Sequence, residues 1–393
     1  MKSTAAIGLP GGLFSKLETV EIPAARARVR SLFEPAAGGS RTLVVFGTGV
    51  LGRRIAASAR DAGLDVTAAS DNNPARWCAD FDGVSILEPE HAVEQFGTNA
   101  VFVVAIYNPS GVVAQLRAAG CTRVATYPEF FRAFASFVPG MTGLDVPESI
   151  IASEAEIGNA YELLHDGVSR AEFEAQLVWR CSLDDAGLRA PSPFADMHFD
   201  RNVYDLSSHE TIVDCGAFDG DSLRALLAKT DGEFARAYAL EPDPDNRAKL
   251  EFWRRTLPQA SQAAIAILPY AAADRDGTVH FDAGLGVASA SSTGGSLQVA
   301  CRKLDDAIPD APTLIKMDIE GAELQALRGA ARLIRDHQPV LAVCAYHYNE
   351  HLWQLPMLMQ ELWPGYRIVL RRYAEQCWET VYYAVPPERR NLS

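Results

Sequence analysis

Short apolar runs alternate with amphipathic stretches along most of this chain, and many of the runs end in glycine or a carboxylate. Thr42 to Phe46 (TLVVF), Val66 to Ser70, Ala100 to Ile106 (AVFVVAI) and Arg123 to Thr126 read as strands, with helices predicted to about Ala62 and over Val112 to Ala119. Unbroken hydrophobicity, rather than strict alternation, predicts strands buried on both faces, as in a parallel sheet covered by helices. The same grammar returns in Ile212–Val213, Ala235 to Leu240, Ile265 to Leu268, Thr313 to Met317 and Val340 to Ala345, and Arg367 to Leu370 with Thr380 to Val385 reads as a closing hairpin. Between the two series the period becomes helical: Glu154 to Leu164, then Arg170 to Cys181 with Phe173, Leu177 and Val178 on one face. The pattern predicts an α/β protein of two tandem three-layer domains. Their bounds are an N-terminal extension at 1–37, a first α/β domain at 38–134, a helical connector at 135–205 and a second α/β domain at 206–393.

Length agrees, since 393 residues exceed what one core usually organises. A net charge of -14 argues against a nucleic-acid partner, because no basic face is available to displace counterions from phosphates. Seven scattered cysteines without a CxxC pair read as reduced thiols of a cytoplasmic protein. The N-terminal stretch, broken by Pro10, Gly11 and Gly12, does not read as a signal peptide, and no apolar run is long enough for a membrane span.

Candidate chemistry sits where runs end. In the first domain GTGVLG places Gly47, Gly49 and Gly52 between a strand and a helix, and Asp71 ends the next strand, about 20 residues on, where dinucleotide folds use an acid on the ribose. This Rossmann-type opening either holds a nucleotide or nucleotide-sugar, or keeps its glycines so that helix and strand can pack closely. In the second domain IVDCGAFDGDS brings Asp214 to a strand end, with Gly216 and Gly220 around a turn and Ser222 opening a helix. Asp214 is positioned to accept from an ammonium and the helix start to receive a carboxylate, a match for an amino-acid tail. Glu241-Pro242 closes the following strand and suits a bidentate grip on a ribose.

VDCGAFDGDS, LEPDPDN, IKMDIEGAELQALRGA and ETVYYAV together resemble the FkbM family of S-adenosylmethionine-dependent methyltransferases, over roughly Asn202 to Val385. The resemblance implies a class I methyltransferase fold, with a mixed seven-stranded sheet whose last strand is antiparallel, and O-methyl transfer to a sugar or natural product. It implies cofactor roles for Asp214, Gly216, Phe218, Asp219, Gly220, Ser222, Glu241 and Pro242, with Ala272 near the adenine, and a second motif at Asp318, Glu320 and Glu323.

A sugar hydroxyl is a poor nucleophile at neutral pH, so a base or a metal is required beside it. Asp318 and His347 follow adjacent strands and project from one sheet edge, which makes His347 the candidate base, with Glu320 beside it. Asp318 and Glu320 also suit Mg²⁺, a reading ranked below acid–base catalysis, and Glu323 reads as a helix N-terminal stabiliser. The leading expectation is a methyltransferase acting on a small-molecule or glycan hydroxyl. Its alternatives are a catalytically silent nucleotide or nucleotide-sugar binding or scaffold protein, and an NAD-dependent oxidoreductase that lacks a Tyr-x-x-x-Lys pair.

Overall fold

The computed structural model describes residues 22–34, 42–135, 147–282, 286–287 and 297–389. It divides into two compact units, the first comprising Met1–Ala152, Glu174–Ala190 and Ala374–Trp378, the second Ser153–Phe173, Pro191–Tyr373 and Glu379–Ser393. The first unit draws on late stretches of sequence because Trp179, Leu183 and Cys377 bury their side chains in its core.

In the first unit, β1 (Thr42–Phe46), β2 (Asp65–Ser70), β3 (Asp80–Phe81), β4 (Val84–Leu87), β5 (Val101–Val104) and β6 (Val124–Thr126) form one sheet, ordered β3-β4-β2-β1-β5-β6. All pairings are parallel except β3 with β4. Alternate residues of one strand enter different cores: Leu43, Val45, Val101 and Val103 pack with Ile55 and Phe130, whereas Val44, Phe46, Phe102 and Val104 pack with Ala92 and Leu116. Both faces are covered, which is why these strands carry no polar alternation.

The second unit holds β7 (Thr211–Cys215), β8 (Arg236–Leu240), β9 (Ile265–Leu268), β14 (Leu314–Met317), β15 (Val340–Cys344), β16 (Arg367–Arg372) and β17 (Thr380–Val385), in the order β16-β17-β15-β14-β7-β8-β9. The strand β17 runs antiparallel to both neighbours, β15 and β16, and the rest pair in parallel. The expected mixed seven-stranded sheet is thus present. Chain order reverses where β7 lies between β8 and β14, and it is outside the carboxyl ends of such strands that open α/β sheets bind ligands.

A smaller sheet, ordered β10-β13-β11-β12, is made by β10 (Ala271–Ala272), β11 (Gly277–Asp282), β12 (Gly286–Val287) and β13 (Leu297–Arg302). Apart from Gly286–Val287, the glycine- and serine-rich run 284–295, whose sequence suits either a loop folded over the cofactor or acceptor or a plain solvent hairpin, lies outside the described residues. The helical stretch before β7 is tied to β16 by Asp166–Arg371 at 2.9 Å and Glu172–Arg372 at 2.6 Å. Among the described residues no helix is long and apolar enough to cross a membrane.

Candidate active site

The strand β7 ends in a turn that only glycine permits at its first step. Gly216 has φ of +79°, and a Cβ there would overlap the carbonyl oxygen of Asp318. The turn after β7 and the turn after β14 therefore interlock: the Asp318 N–H donates to the Cys215 carbonyl at 3.1 Å, and the N–H groups of Gly216 and Ala217 both donate to the Leu240 carbonyl at 3.0 Å. Beside them opens a cavity of about 380 Å³. Gly216, Phe218, Ser222, Glu241 and Pro242 line one side, and Ala272, Asp318 and Glu320 line another. Phe218 and Glu320 both hold left-handed backbone, with φ of 46° and 57°, a conformation that costs free energy for non-glycine residues and that clusters at functional sites.

Glu241 is buried and its carboxylate organises the wall. One oxygen accepts the Phe218 N–H at 2.8 Å and the other the Asp243 N–H at 2.9 Å. Burial raises its pKa, and these two donors oppose the rise. Each oxygen keeps acceptor capacity beyond its backbone partner.

Asp214 stands elsewhere than the sequence suggested. It is closed off from solvent, and the ammonium beside it belongs to the chain: Lys316 Nζ lies 3.0 Å from Asp214 Oδ1, with the two residues in register on β7 and β14. Burial pushes the Asp214 carboxyl up to about 6, against the pull of Lys316. Burial also disfavours the Lys316 ammonium, but Asp214, Asp318 and Asp221 outweigh it and hold the pKa above the ordinary range. The pair is charged at neutral pH. Lys316 also donates to the Gly216 carbonyl at 2.7 Å, fixing the turn from beneath, and itself reaches the cavity.

Two other members of the glycine motif face away. Asp219 pairs with Arg224 at 2.5 Å, and Gly220 is required by packing, since a Cβ there would press on Trp253 and Leu250.

His347 lies behind the carboxylates of the wall. Its Nδ1 is 3.0 Å from Glu323 Oε1, and its Nε2 is 3.5 Å from Asp318 Oδ1 and 3.6 Å from Glu320 Oε2. Burial disfavours the imidazolium, yet Glu323, Asp318 and Glu320 together push its pKa up to about 9. Glu323 is fully buried; burial resists its ionisation, but His347, His351 and the Ile319 N–H hold it below the usual range. The same oxygen that faces His347 accepts the Ile319 N–H at 3.0 Å, so Glu323 shapes the loop as well as orienting the ring. Asp318 is held below its ordinary value: burial opposes ionisation, and Lys316, His347 and the Tyr346 hydroxyl, which donates to it at 3.0 Å, prevail.

Three further groups line the cavity that the sequence reading gave no role, although Lys316 lies within IKMDIEGAELQALRGA and Glu379 opens ETVYYAV. Lys316 left one signal, a charge inside the apolar run LIKM. His198, at φ of 66°, is kept neutral, its pKa lowered to about 3 by burial and by Lys316. Glu379 lines the cavity just before β17, and burial together with Asp318 raises its carboxyl to about 7.

In the first unit the glycine turn closes on itself. A Cβ on Gly52 would overlap the Gly47 carbonyl oxygen, and one on Gly47 would come within 2.9 Å of the Ala105 oxygen, whereas Gly49 faces open space. Asp71 accepts from the Thr48 N–H at 2.9 Å and the Thr48 hydroxyl at 2.6 Å, and pairs with Arg76 at 3.2 Å. Burial would raise its carboxyl, but these donors hold it below the usual value.

Residues 214–368 match the family model described as the methyltransferase FkbM domain. Among solved structures, the chain is similar to the methyltransferase FkbM of Methylobacillus flagellatus KT, with 26% identity, 95% of this chain and 100% of that chain covered, and a TM-score of 0.72. A precorrin-6y C5,15-methyltransferase from Geobacter metallireducens GS-15 matches far more loosely, at 12% identity over 51% of this chain and 96% of that one, with a TM-score of 0.30. No curated protein matches the chain.

Proposed function

We propose that this chain, which carries a methyltransferase FkbM domain at residues 214–368, transfers a methyl group from S-adenosylmethionine to a hydroxyl oxygen of a sugar, glycan precursor or related metabolite. The observation that carries this reading is the cavity at the carboxyl ends of β7, β8 and β14, walled by the Gly216 turn on one side and Glu241 on another. Its volume of about 380 Å³ falls in the range of small-molecule sites. The free acceptor capacity of both Glu241 oxygens suits the two hydroxyls of a ribose, and Gly216 leaves the main chain bare where a side chain would fill the space.

When bound, the cofactor supplies an electrophilic methyl on a sulfonium. The chain's part is to place an acceptor oxygen in line with that methyl and to take its proton. Among the groups on the cavity, His198 is locked neutral beside Lys316, whose ammonium is committed to Asp214 and the Gly216 carbonyl. Glu379, a carboxylate on the wall, receives the proton. Glu241 and the bare main chain at Gly216 would hold the cofactor, which would supply the methyl group to the oxygen that Glu379 deprotonates.

In this reading the first unit is given no ligand. Packing accounts for Gly47 and Gly52, and the chain's own Thr48 and Arg76 engage the Asp71 carboxylate. Calorimetric titration of the full chain with S-adenosylhomocysteine tests the cofactor assignment, and transfer of labelled methyl into hydroxyl-bearing glycan extracts tests the acceptor class. An absence of any S-adenosylhomocysteine binding sinks the proposal, and binding without transfer favours the silent alternative.

A further inference from the structure

A second cavity, of about 490 Å³, adjoins the first. It opens between the small sheet and the starts of the helices Glu323–Arg328 and His351–Leu362. The turn after β14 divides the two cavities: Glu320 lines the first, Gly321 the second, and Ala322 both. Ala271 and Ala272 also line both, so the sill between them carries no side chain longer than a methyl group.

Tyr348 gives the second cavity an aromatic wall. Its ring lies against the bare Cα of Gly321, where a Cβ would stand 2.1 Å from Tyr348 Cε2. The ring also meets His351 edge-on, with centroids 5.1 Å apart and planes at 68°. A ring held by two neighbours loses little freedom when a ligand comes to rest on it. Beside it, Gln325 and Gln354 each bring a side-chain amide that can donate and accept, and neither amide has a hydrogen-bond partner among the described residues. Asp274 and Glu350 add acceptors. Arg275, the only lysine or arginine among the described residues of the lining, lies 3.7 Å from Asp274, so its charge is shared before any phosphate or carboxylate arrives. Amides and carboxylates suit hydroxyl groups, and a flat aromatic ring suits the apolar C–H face of a sugar.

We infer that the second cavity anchors a neutral sugar ring of the acceptor, with Tyr348 against its C–H face and Gln325, Gln354 and Asp274 on its hydroxyls. The adjoining part of the same molecule passes over the alanine sill and offers its hydroxyl in the first cavity. What happens to that hydroxyl rests on the methyl-transfer reading; the anchoring of the sugar does not. The acceptor class narrows accordingly, to a glycan of at least two rings whose anchored ring is uncharged, rather than a free monosaccharide or an anionic sugar. Contacts in the second cavity are remote from the reacting atoms, and they serve the chemical step by holding the acceptor oxygen in place.

Saturation-transfer nuclear magnetic resonance on the full chain, with S-adenosylhomocysteine present and absent, tests the site. The probes are methyl α-glucoside, methyl α-galactoside and methyl α-mannoside, with glucuronate as the anionic counterpart. At least one neutral glycoside is expected to bind saturably with a Kd below about 50 mM in both conditions, and glucuronate more weakly. Tyr348→Ala weakens that glycoside by about tenfold and Gln354→Ala by about threefold, whereas Tyr348→Phe, which keeps the ring, stays within about twofold of wild type. Melting temperature and S-adenosylhomocysteine affinity close to wild type identify the variants that are folded. The inference is overturned if no glycoside saturates below about 50 mM, if glucuronate binds as tightly as the best glycoside, or if folded Tyr348→Ala and Gln354→Ala both bind as wild type does. Any of these results leaves the methyl-transfer reading standing, and a failure to bind S-adenosylhomocysteine leaves the sugar site standing.

Discussion

Lys316 and Asp214 face each other from neighbouring parallel strands, 3.0 Å apart and sealed from solvent, directly under the turn that walls the cavity. Removing one partner leaves the other as an uncompensated buried charge, which typically costs about 3–5 kcal/mol. We predict that Lys316→Met and Asp214→Leu each destabilise the second unit by that order, while the double variant recovers much of the loss. Urea unfolding of the three proteins measures this, and equal stability of single and double variants would count against the pair as described.

Glu241 joins the two backbone donors at 2.8 and 2.9 Å to whatever lies in the cavity. Glu241→Ala is expected to weaken S-adenosylhomocysteine binding by at least about tenfold, or about 1.4 kcal/mol. Calorimetry on a variant shown to be folded checks it. Unchanged affinity would remove Glu241 from the binding site.

For Glu379, on the cavity wall, we expect a split between chemistry and binding. Glu379→Gln lowers turnover by roughly 10²- to 10⁴-fold, the usual contribution of a positioned base, while S-adenosylhomocysteine affinity changes little. Single-turnover transfer of labelled methyl reads the first quantity and calorimetry the second. Wild-type turnover in the variant would assign the proton to another group.

Acid stability reports on a contact far from the site. Asp166 is held at about 2: burial favours its neutral form, but hydrogen bonds from Arg371 and Ser169 and the charge of Arg371 prevail. Its folded pKa lies below the unfolded value of about 3.9, so the stabilisation is fully present above that value and is lost as pH falls through about 2. Melting curves between those limits should show a shallower loss of stability in Asp166→Asn than in wild type, and parallel curves would contradict the assignment.

Much of the second unit was legible because buried parallel strands advertise themselves. TIVDC, RAYAL and LIKM are short, apolar and followed by glycine or acid, and they emerge as β7, β8 and β14 around the cavity. Partners set by strand register were not legible. Asp214 reads as a ligand-binding acid until β14 is laid beside β7, when Lys316 falls opposite it. Asp71 likewise fits a ribose by spacing, but the folded turn brings Thr48 to its carboxylate. His198 arrives from a segment without motif and Glu379 from the head of ETVYYAV, where no role had been read for it, and both are positioned only once the sheet is complete. The helical stretch after residue 135 gave no hint that Trp179 and Leu183 serve the first unit, since periodicity marks an apolar face without naming what covers it.

The contact between Lys316 and the Gly216 carbonyl spans 100 residues of chain. A contact of that separation forms only after a long loop has closed, and such pairings are slow. We expect the ligand cavity to be among the last features to appear as the polypeptide folds, after the local turns and helices on either side of it. Pulse-labelled hydrogen exchange during refolding would show this as late protection of the Gly216 and Asp318 amides relative to those of the helix Asp221–Lys229. A nascent chain that has not yet emerged past β14 carries the glycine turn without its wall, so ligand capture must wait for synthesis to pass that strand.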